Sequence, residues 1–227
     1  MSTSGTRAEQ DLLGERDAPE DVYYGIHTLR AKENFQISGT TLASYPEVVM
    51  ALAAVKQAAA EANAELGLLS PVLRDAIVAA CVEIREGSLH DQFVVDVIRG
   101  GAGTSTNMNA NEVICNRALE LLGRRRGEYA YLHPNEHVNL AQSTNDVYPT
   151  ALRIATFFAI EHLLEAMEKL HAAFDEKAGE FSGLLKLGRT QLQDASHDSW
   201  ARVLDLCRHA QRRHVAAHRG GRADKGD

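Results

Sequence analysis

The chain has 227 residues, 44% of them hydrophobic, which is enough for a packed core. Its formal net charge of −7 argues against nucleic acid as a partner, because phosphate binding requires a concentrated basic face. The 3 cysteines are odd in number, far apart and without CxxC spacing, which argues against a disulfide framework and favours a reducing, cytoplasmic location.

Three helices are predicted before residue 125 from apolar residues at three- and four-residue spacing between capping residues. They cover residues 46–66, 70–87 and about 109–122. Each is followed or closed by a glycine, the residue that most readily ends a helix in the left-handed conformation. Strand signals are few, and LLKLGR at 184–189 is the best short candidate.

A much longer helical pattern runs from about residue 146 to residue 181. At 1.5 Å per residue this helix would be about 50 Å long. Such a helix cannot bury its apolar stripe within a small domain, so the pattern predicts a helical bundle or a subunit interface. Charged residues interrupt it, and the N-terminus has no apolar segment, so we expect neither a membrane span nor a signal peptide.

Two polar stretches interrupt the helical patterns, GAGTSTNMNANE at 101–112 and AQSTNDVYPTA at 141–151. Their hydroxyl and carboxamide side chains favour caps and turns, and we do not expect them to pack in a core. Both stretches lead into helices, which predicts that they lie at helix N-termini, where carboxylates and phosphates bind.

Each stretch also has a structural interpretation. Gly100, Gly101 and Gly103 match no nucleotide-binding motif, and a tight turn that delivers Thr104 explains them more simply. Ser143 and Thr144 could serve only to cap the long helix.

The segment HPNEHVN at 133–139 has the HxxEH spacing of some zinc peptidases. Those ligands require a helix, which Pro134 and Asn135 disfavour, and no third ligand has suitable spacing, so we expect no metal. A turn with solvated histidines and a loop that binds a second anion both stay open. His27 is interpreted as a structural, hydrogen-bonded residue.

Four motifs carry a family resemblance: GAGTSTNMNANEV at 101–113, HPNEHVN at 133–139, QSTNDVYPTA at 142–151 and GRTQLQDA at 188–195. In this order and spacing they resemble the class II fumarase/aspartase superfamily. YYGIHTLRAKENF at 23–35 and Gln191 resemble its aspartate ammonia-lyase (aspartase) branch. The resemblance runs from about residue 10 to Ala195. It implies an all-α fold, with an N-terminal helical domain over residues 1–140 and the start of a central helical bundle over 141–195. It also implies a homotetramer without a cofactor.

The resemblance also implies roles for individual residues in binding a C4 dicarboxylate. Thr104, Ser143 and Thr144 would hold the carboxylate next to the leaving proton. Asn145 and Gln191 would face the amino group. The other carboxylate would contact Thr190, Arg30 would be a nearby cation, and His133 and Asn135 would form the secondary anion loop.

The implied reaction is the reversible deamination of L-aspartate to fumarate and ammonia. Two alternatives to this activity stay open: a fumarase, and a helical fragment without enzymatic activity that only associates with other subunits. The family's general base is a serine on a later loop of the pattern GSSxMPxKxNP, and no such string occurs in this sequence. We therefore expect no catalytic residue in this chain, and no activity from the chain by itself.

Residues 196–227 differ in character from the rest and are rich in arginine and histidine. Reading the possible codons of Ser196 to Val203 in a shifted frame can restore a continuation of the family pattern. We therefore expect an out-of-frame, non-homologous tail. A basic arm for nucleic acid is the functional alternative, but the segment lacks interleaved aromatic residues other than Trp200.

Overall fold

The computed structural model describes residues 5–99, 101–183 and 188–195. Within these ranges the chain is mainly helical, as expected. The helices are α1 (Ile26–Asn34), α2 (Pro46–Glu65), α3 (Pro71–Arg85), α4 (Thr104–Leu121) and α5 (Thr144–Glu180). Two antiparallel hairpins accompany them, β1 (Thr6–Asp11) with β2 (Gly14–Pro19), and β3 (Gly188–Thr190) with β4 (Gln193–Ala195).

The four predicted helices are all confirmed. Proline occupies the first turn of α2 and of α3, where its missing N–H costs no hydrogen bond. The Ser70 hydroxyl accepts a hydrogen bond from the backbone N–H of Leu73, which caps α3. The start predicted for α4 at about residue 109 was wrong, since this helix begins at Thr104.

The β1–β2 hairpin was not predicted. Its strands are polar and lack the alternation of apolar residues that marks a half-buried strand, so the sequence carries little signal. The register pairs Thr6 with Pro19 and Asp11 with Gly14. Of the strand predicted over 184–189, residues 184–187 lie outside the described ranges, and β3 covers Gly188–Thr190. The predicted tail, 196–227, also lies outside them.

The hydrophobic core lies between α2, α3 and α4, with α3 in contact with both of its neighbours. Its largest fully buried apolar side chains come from these helices and from the adjacent loops: Leu52, Ile77, Ile84, Phe93, Ile114, Leu119 and Leu132. Burying a side chain of this size contributes about 1.5–3 kcal/mol relative to exposing it. The core therefore fixes α4 at the centre of the fold.

The polar stretch at 101–112 enters this interior, so the expectation that it would avoid the core was wrong. Five of its polar side chains are at most 1% exposed: Thr106, Asn107, Asn109, Asn111 and Glu112. Several hold neighbouring loops, since Asn109 Nδ2 donates to the carbonyl oxygen of Gln92 at 3.0 Å. The polar face of α4 is thus an internal scaffold for the loops around it.

The chain divides into two compact units, Met1–Phe158 and Ala159–Asp227. The first contains β1, β2, α1 to α4 and the N-terminal part of α5. The second contains the rest of α5 and the β3–β4 hairpin. The boundary expected at residue 140 falls inside the first unit. Among the described residues, no helix is both long and apolar enough to span a membrane.

Candidate functional site

The first unit contains a cavity of about 300 Å³ where the glycine-rich turn before α4 meets the first turns of α5. The turn contributes Gly101, Ala102 and Gly103, and α5 contributes Asn145. The other lining residues are Val97, Arg99, Tyr148, Pro149 and Leu152. The two polar stretches singled out in the sequence therefore converge on one space.

Gly103 is the N-cap of α4 and has a φ of 95°, a backbone conformation that residues other than glycine rarely adopt. A Cβ atom at this position would lie 2.4 Å from the Tyr148 ring. Only glycine therefore allows the ring of Tyr148 to lie against the turn. This close approach supports the interpretation of the glycines as a tight turn in front of Thr104, which is exposed as the first residue of α4.

Ser143 and Thr144 have structural partners at the start of α5. The Ser143 hydroxyl accepts a hydrogen bond from the backbone N–H of Asn145 at 3.2 Å, which caps the helix. The Thr144 hydroxyl accepts one from Asn107 Nδ2 at 3.2 Å. Asn107 on α4 thereby positions Thr144 on α5, a connection that the sequence analysis missed.

The same Asn107 amide continues into a buried polar network. Asn107 Nδ2 lies 3.1 Å from Asn139 Oδ1, which also accepts a hydrogen bond from Lys56 Nζ at 2.7 Å. Lys56 is fully buried on α2, and desolvation lowers its pKa to about 7. A lysine within an apolar helical face was the one available signal, and its partners are far away in sequence.

Arg30 is engaged away from the cavity. Its guanidinium forms two hydrogen bonds of 2.8 Å with the Asp11 carboxylate and a third of 3.0 Å with the carbonyl oxygen of Gly14. Hydrogen bonding to Arg30 holds the pKa of Asp11 below its usual range. In this structure Arg30 anchors α1 to the β1–β2 hairpin.

The segment HPNEHVN forms a short π-helical turn over Pro134–Val138, so the expectation that it would avoid helical structure was wrong. His133 Nδ1 accepts hydrogen bonds from the backbone N–H groups of Asn135 and Glu136, at 3.1 and 3.3 Å. The ring therefore caps the turn, and these hydrogen bonds offset the low helix propensity of Pro134 and Asn135. Asn135 is exposed. Within the described ranges, no group of three or more His, Cys, Asp or Glu side chains is arranged to hold a metal ion.

Glu112 holds the N-terminus of α1 from within the core. Its carboxylate accepts hydrogen bonds from the backbone N–H groups of Gly25, His27 and Thr28 and from the Thr28 hydroxyl. Desolvation raises the pKa of Glu112 to about 7, although these donors oppose the shift. The backbone of His27 thus has a structural partner, and its side chain is exposed.

Thr190 and Gln191 lie in the second unit, at the β3–β4 hairpin. Thr190 ends β3, and Gln191 is an exposed turn residue with a φ of 51°. Of the candidate binding residues in the first unit, Asn145 lines the cavity, next to the turn that precedes Thr104. Thr144 does not line it but is hydrogen-bonded to Asn107 of α4. Arg30 and His133 have other partners.

Comparison with known proteins gives one consistent result. A family model described as lyase matches residues 14–219. Aspartate ammonia-lyase of Pseudomonas aeruginosa is 57% identical over 192 residues, which cover 85% of this chain and 40% of that protein. The enzyme of the same name from Escherichia coli is 53% identical over 194 residues, covering 85% and 41%. The chain therefore spans about 40% of the length of these curated relatives.

Solved structures agree with these matches. The crystal structure of a fumarate lyase:delta crystallin from Brucella melitensis superposes with a TM-score of 0.88 at 53% identity, covering 94% of this chain and 51% of that chain. A class II fumarase from Schistosoma mansoni superposes with a TM-score of 0.82 at 35% identity, covering 91% and 44%.

Proposed function

The chain belongs to the lyase family, within the fumarase/aspartase superfamily, and from this premise we propose that it supplies part of the active site of an aspartate ammonia-lyase. The substrate would be L-aspartate, released as fumarate and ammonia in a reversible reaction. The observation that carries the proposal is the cavity where the turn before Thr104 meets Asn145, next to the Asn107–Thr144 hydrogen bond.

The chemistry requires a site that stabilises negative charge on a carboxylate. The proton on Cβ of aspartate is only weakly acidic, and its removal becomes feasible when the adjacent carboxylate takes up the charge as an aci-carboxylate. Donors that bind this charge more strongly in the transition state than in the ground state lower the barrier. Hydroxyl and amide groups on rigid helix starts are suited to this, because they need no reorganisation during the reaction.

In this proposal the residues keep the roles that the resemblance implies. Thr104, Ser143 and Thr144 bind the carboxylate next to the leaving proton. Asn145 and Gln191 face the amino group, and Thr190 binds the other carboxylate. Arg30 and the loop at His133 and Asn135 have lesser support, because both have structural hydrogen-bond partners.

A fumarase has less support than an aspartate ammonia-lyase. The two aspartate ammonia-lyases compared above are 53% and 57% identical to this chain, whereas the class II fumarase is 35% identical. Gln191 and the segment around Arg30 favour the same branch.

We also propose that the whole protein is a cytoplasmic homotetramer. Large apolar side chains stay exposed along α5, including Phe157 and Phe158 at 39% each and Leu163 at 57%, which supports an association surface. Cys81 and Cys115 are buried free thiols, which suits a reducing compartment.

The test compares two substrates on a protein of the relatives' full length that contains these residues. We expect ammonia release and ultraviolet absorbance of fumarate with L-aspartate, and no fumarate from L-malate. Fumarate formed from malate but not from aspartate would contradict the proposal and favour the fumarase.

A further inference from the structure

Among the described residues that line the cavity, Arg99 is the only charged one. It lies in the loop between α3 and α4, just before the glycine-rich turn. None of the roles assigned above involves it. Its position beside Asn145 and Tyr148 nevertheless places a guanidinium in the wall of the candidate site.

The hydrogen bonds of Arg99 are incomplete. Nη1 donates to the backbone carbonyl oxygens of Asp96 and Val97, at 3.3 and 3.1 Å. Nε and Nη2 are both shielded from solvent and have no hydrogen-bond partner within the described part of the chain. A buried cationic donor without a partner is costly, and a carboxylate that accepts two parallel N–H bonds compensates it best.

No carboxylate of the described residues forms an ion pair with Arg99. The nearest in sequence, Asp96, is occupied by the backbone N–H groups of Ser38, Gly39 and Ile98 and by the Ser38 hydroxyl. Arg30, in contrast, already has a bidentate carboxylate partner in Asp11. Of the two arginines, Arg99 is thus the one with guanidinium N–H groups that lack a carboxylate partner among the described residues.

The ring of Tyr148 fixes this geometry. The guanidinium carbon of Arg99 lies 4.8 Å from the ring centroid, and the same ring lies against Gly103. Arginine stacks on aromatic faces while its N–H groups stay available in the guanidinium plane. The stacked ring thereby couples the cation to the glycine turn and to α5.

We propose that Arg99 is a specificity-determining residue that binds a carboxylate of the ligand in this cavity. This inference rests on the proposed function, because it names the cation that would recognise the dicarboxylate at the same site. It assigns to Arg99 the electrostatic role that the resemblance suggests for Arg30.

The test is a titration of the full 227-residue chain with succinate, an unreactive C4 dicarboxylate. Nitrogen-15 NMR follows the arginine Nε–H signals, and the Arg99 signal is assigned by its loss in Arg99→Lys. We expect succinate to shift this signal. We expect Arg99→Gln to weaken succinate binding by about tenfold or more, since it removes a charge-assisted pair. Arg99→Lys should bind succinate more weakly than the native chain and more tightly than Arg99→Gln, because lysine keeps the charge but lacks the parallel N–H donors of the guanidinium.

Arg125→Gln is the matched control, since it removes the same charge from a side chain that is 91% exposed. We expect it to change succinate affinity by less than about twofold. Equal succinate affinity of Arg99→Gln and the native chain would overturn the inference, as would binding of inorganic phosphate without succinate, or no binding of succinate. None of these results bears on ammonia release, which tests the proposed function separately.

Discussion

The ammonium nitrogen of Lys56 lies 2.7 Å from the amide oxygen of Asn139, in a position fully shielded from solvent. This contact joins α2 to the loop that precedes α5. Asn107 shares the same oxygen and continues to Thr144, so the buried cation supports a residue of the candidate site through two amides.

Lys56→Met is expected to change how stability depends on pH. Burial lowers the pKa of Lys56 from 10.5 to about 7, so the unfolded chain binds the proton more tightly than the folded chain between these values. The free energy of unfolding of the native chain should therefore rise with pH between 7 and 9, relative to Lys56→Met, by up to about 1.4 kcal/mol per pH unit. Urea unfolding at several pH values measures this. Lys169→Met, at an exposed position, is the control, and parallel curves for Lys56→Met and the native chain would contradict the prediction.

Glu112→Gln is expected to show the opposite sign at lower pH. Burial raises the pKa of Glu112 from 4.5 to about 7, so in this interval the folded chain holds the proton more tightly than the unfolded chain. The stability of the native chain should fall as pH rises from 4.5 to 7, relative to Glu112→Gln, again by at most about 1.4 kcal/mol per unit. Thermal unfolding followed by circular dichroism tests this. Glu65→Gln, on the exposed surface of α2, should show the same pH dependence of stability as the native chain. If Glu112→Gln also shows that dependence, the raised pKa of Glu112 is refuted.

Gly103→Ala should be more harmful than Gly101→Ala. Both glycines have positive φ, 95° and 76°, so each substitution strains the backbone by about 1–2 kcal/mol. Only at Gly103 does the added Cβ meet the Tyr148 ring, whereas at Gly101 nothing lies within 4 Å. We expect a further loss of about 1–3 kcal/mol for Gly103→Ala, as for overpacked sites, together with weaker succinate binding. Equal melting temperatures of the two variants would show that the ring contact is not restrictive.

Arg30→Gln and Asp11→Asn should have coupled effects on stability. The two side chains are 14% and 10% exposed and share a bidentate ion pair, so the double variant should lose less than the sum of the single losses. A double-mutant cycle by urea unfolding measures the coupling, and succinate titration of Arg30→Gln serves as the second readout. Additive losses combined with a large drop in succinate affinity would instead assign Arg30 to the ligand.

The sequence predicts α2, α3 and α5 well because their signals are local. Proline in the first turn, Ser70 at a cap and glycine after the last turn each act within a few residues. The start of α4 and the β1–β2 hairpin could not be predicted in the same way. Asn107, in the missed first turn of α4, has weak helix propensity but is held by hydrogen bonds to Asn139 and Thr144. The hairpin is fixed by Arg30 pairing with Asp11.

The same difference between local signals and long-range contacts applies to the candidate site. The glycine turn and the Ser143 cap are readable from adjacent residues, and the structure brings the segments that contain them to one cavity. The sequence does not indicate the significance of Asn139 and Arg99, since it depends on what surrounds them in three dimensions. Periodicity alone places Lys56 on α2 without indicating whether the side chain is buried or solvated.

Helix α4 carries a consequence for any attempt to make this protein more heat-resistant. Four of its buried oxygen atoms, on Thr106, Asn107, Asn109 and Asn111, have no hydrogen-bond partner among the described residues. Each such acceptor costs about 1–3 kcal/mol, so a laboratory selection for endurance alone would favour apolar replacements along this helix. At Asn107 that gain would disconnect Thr144 from α4. Selection for stability and selection for activity would then favour different residues at Asn107.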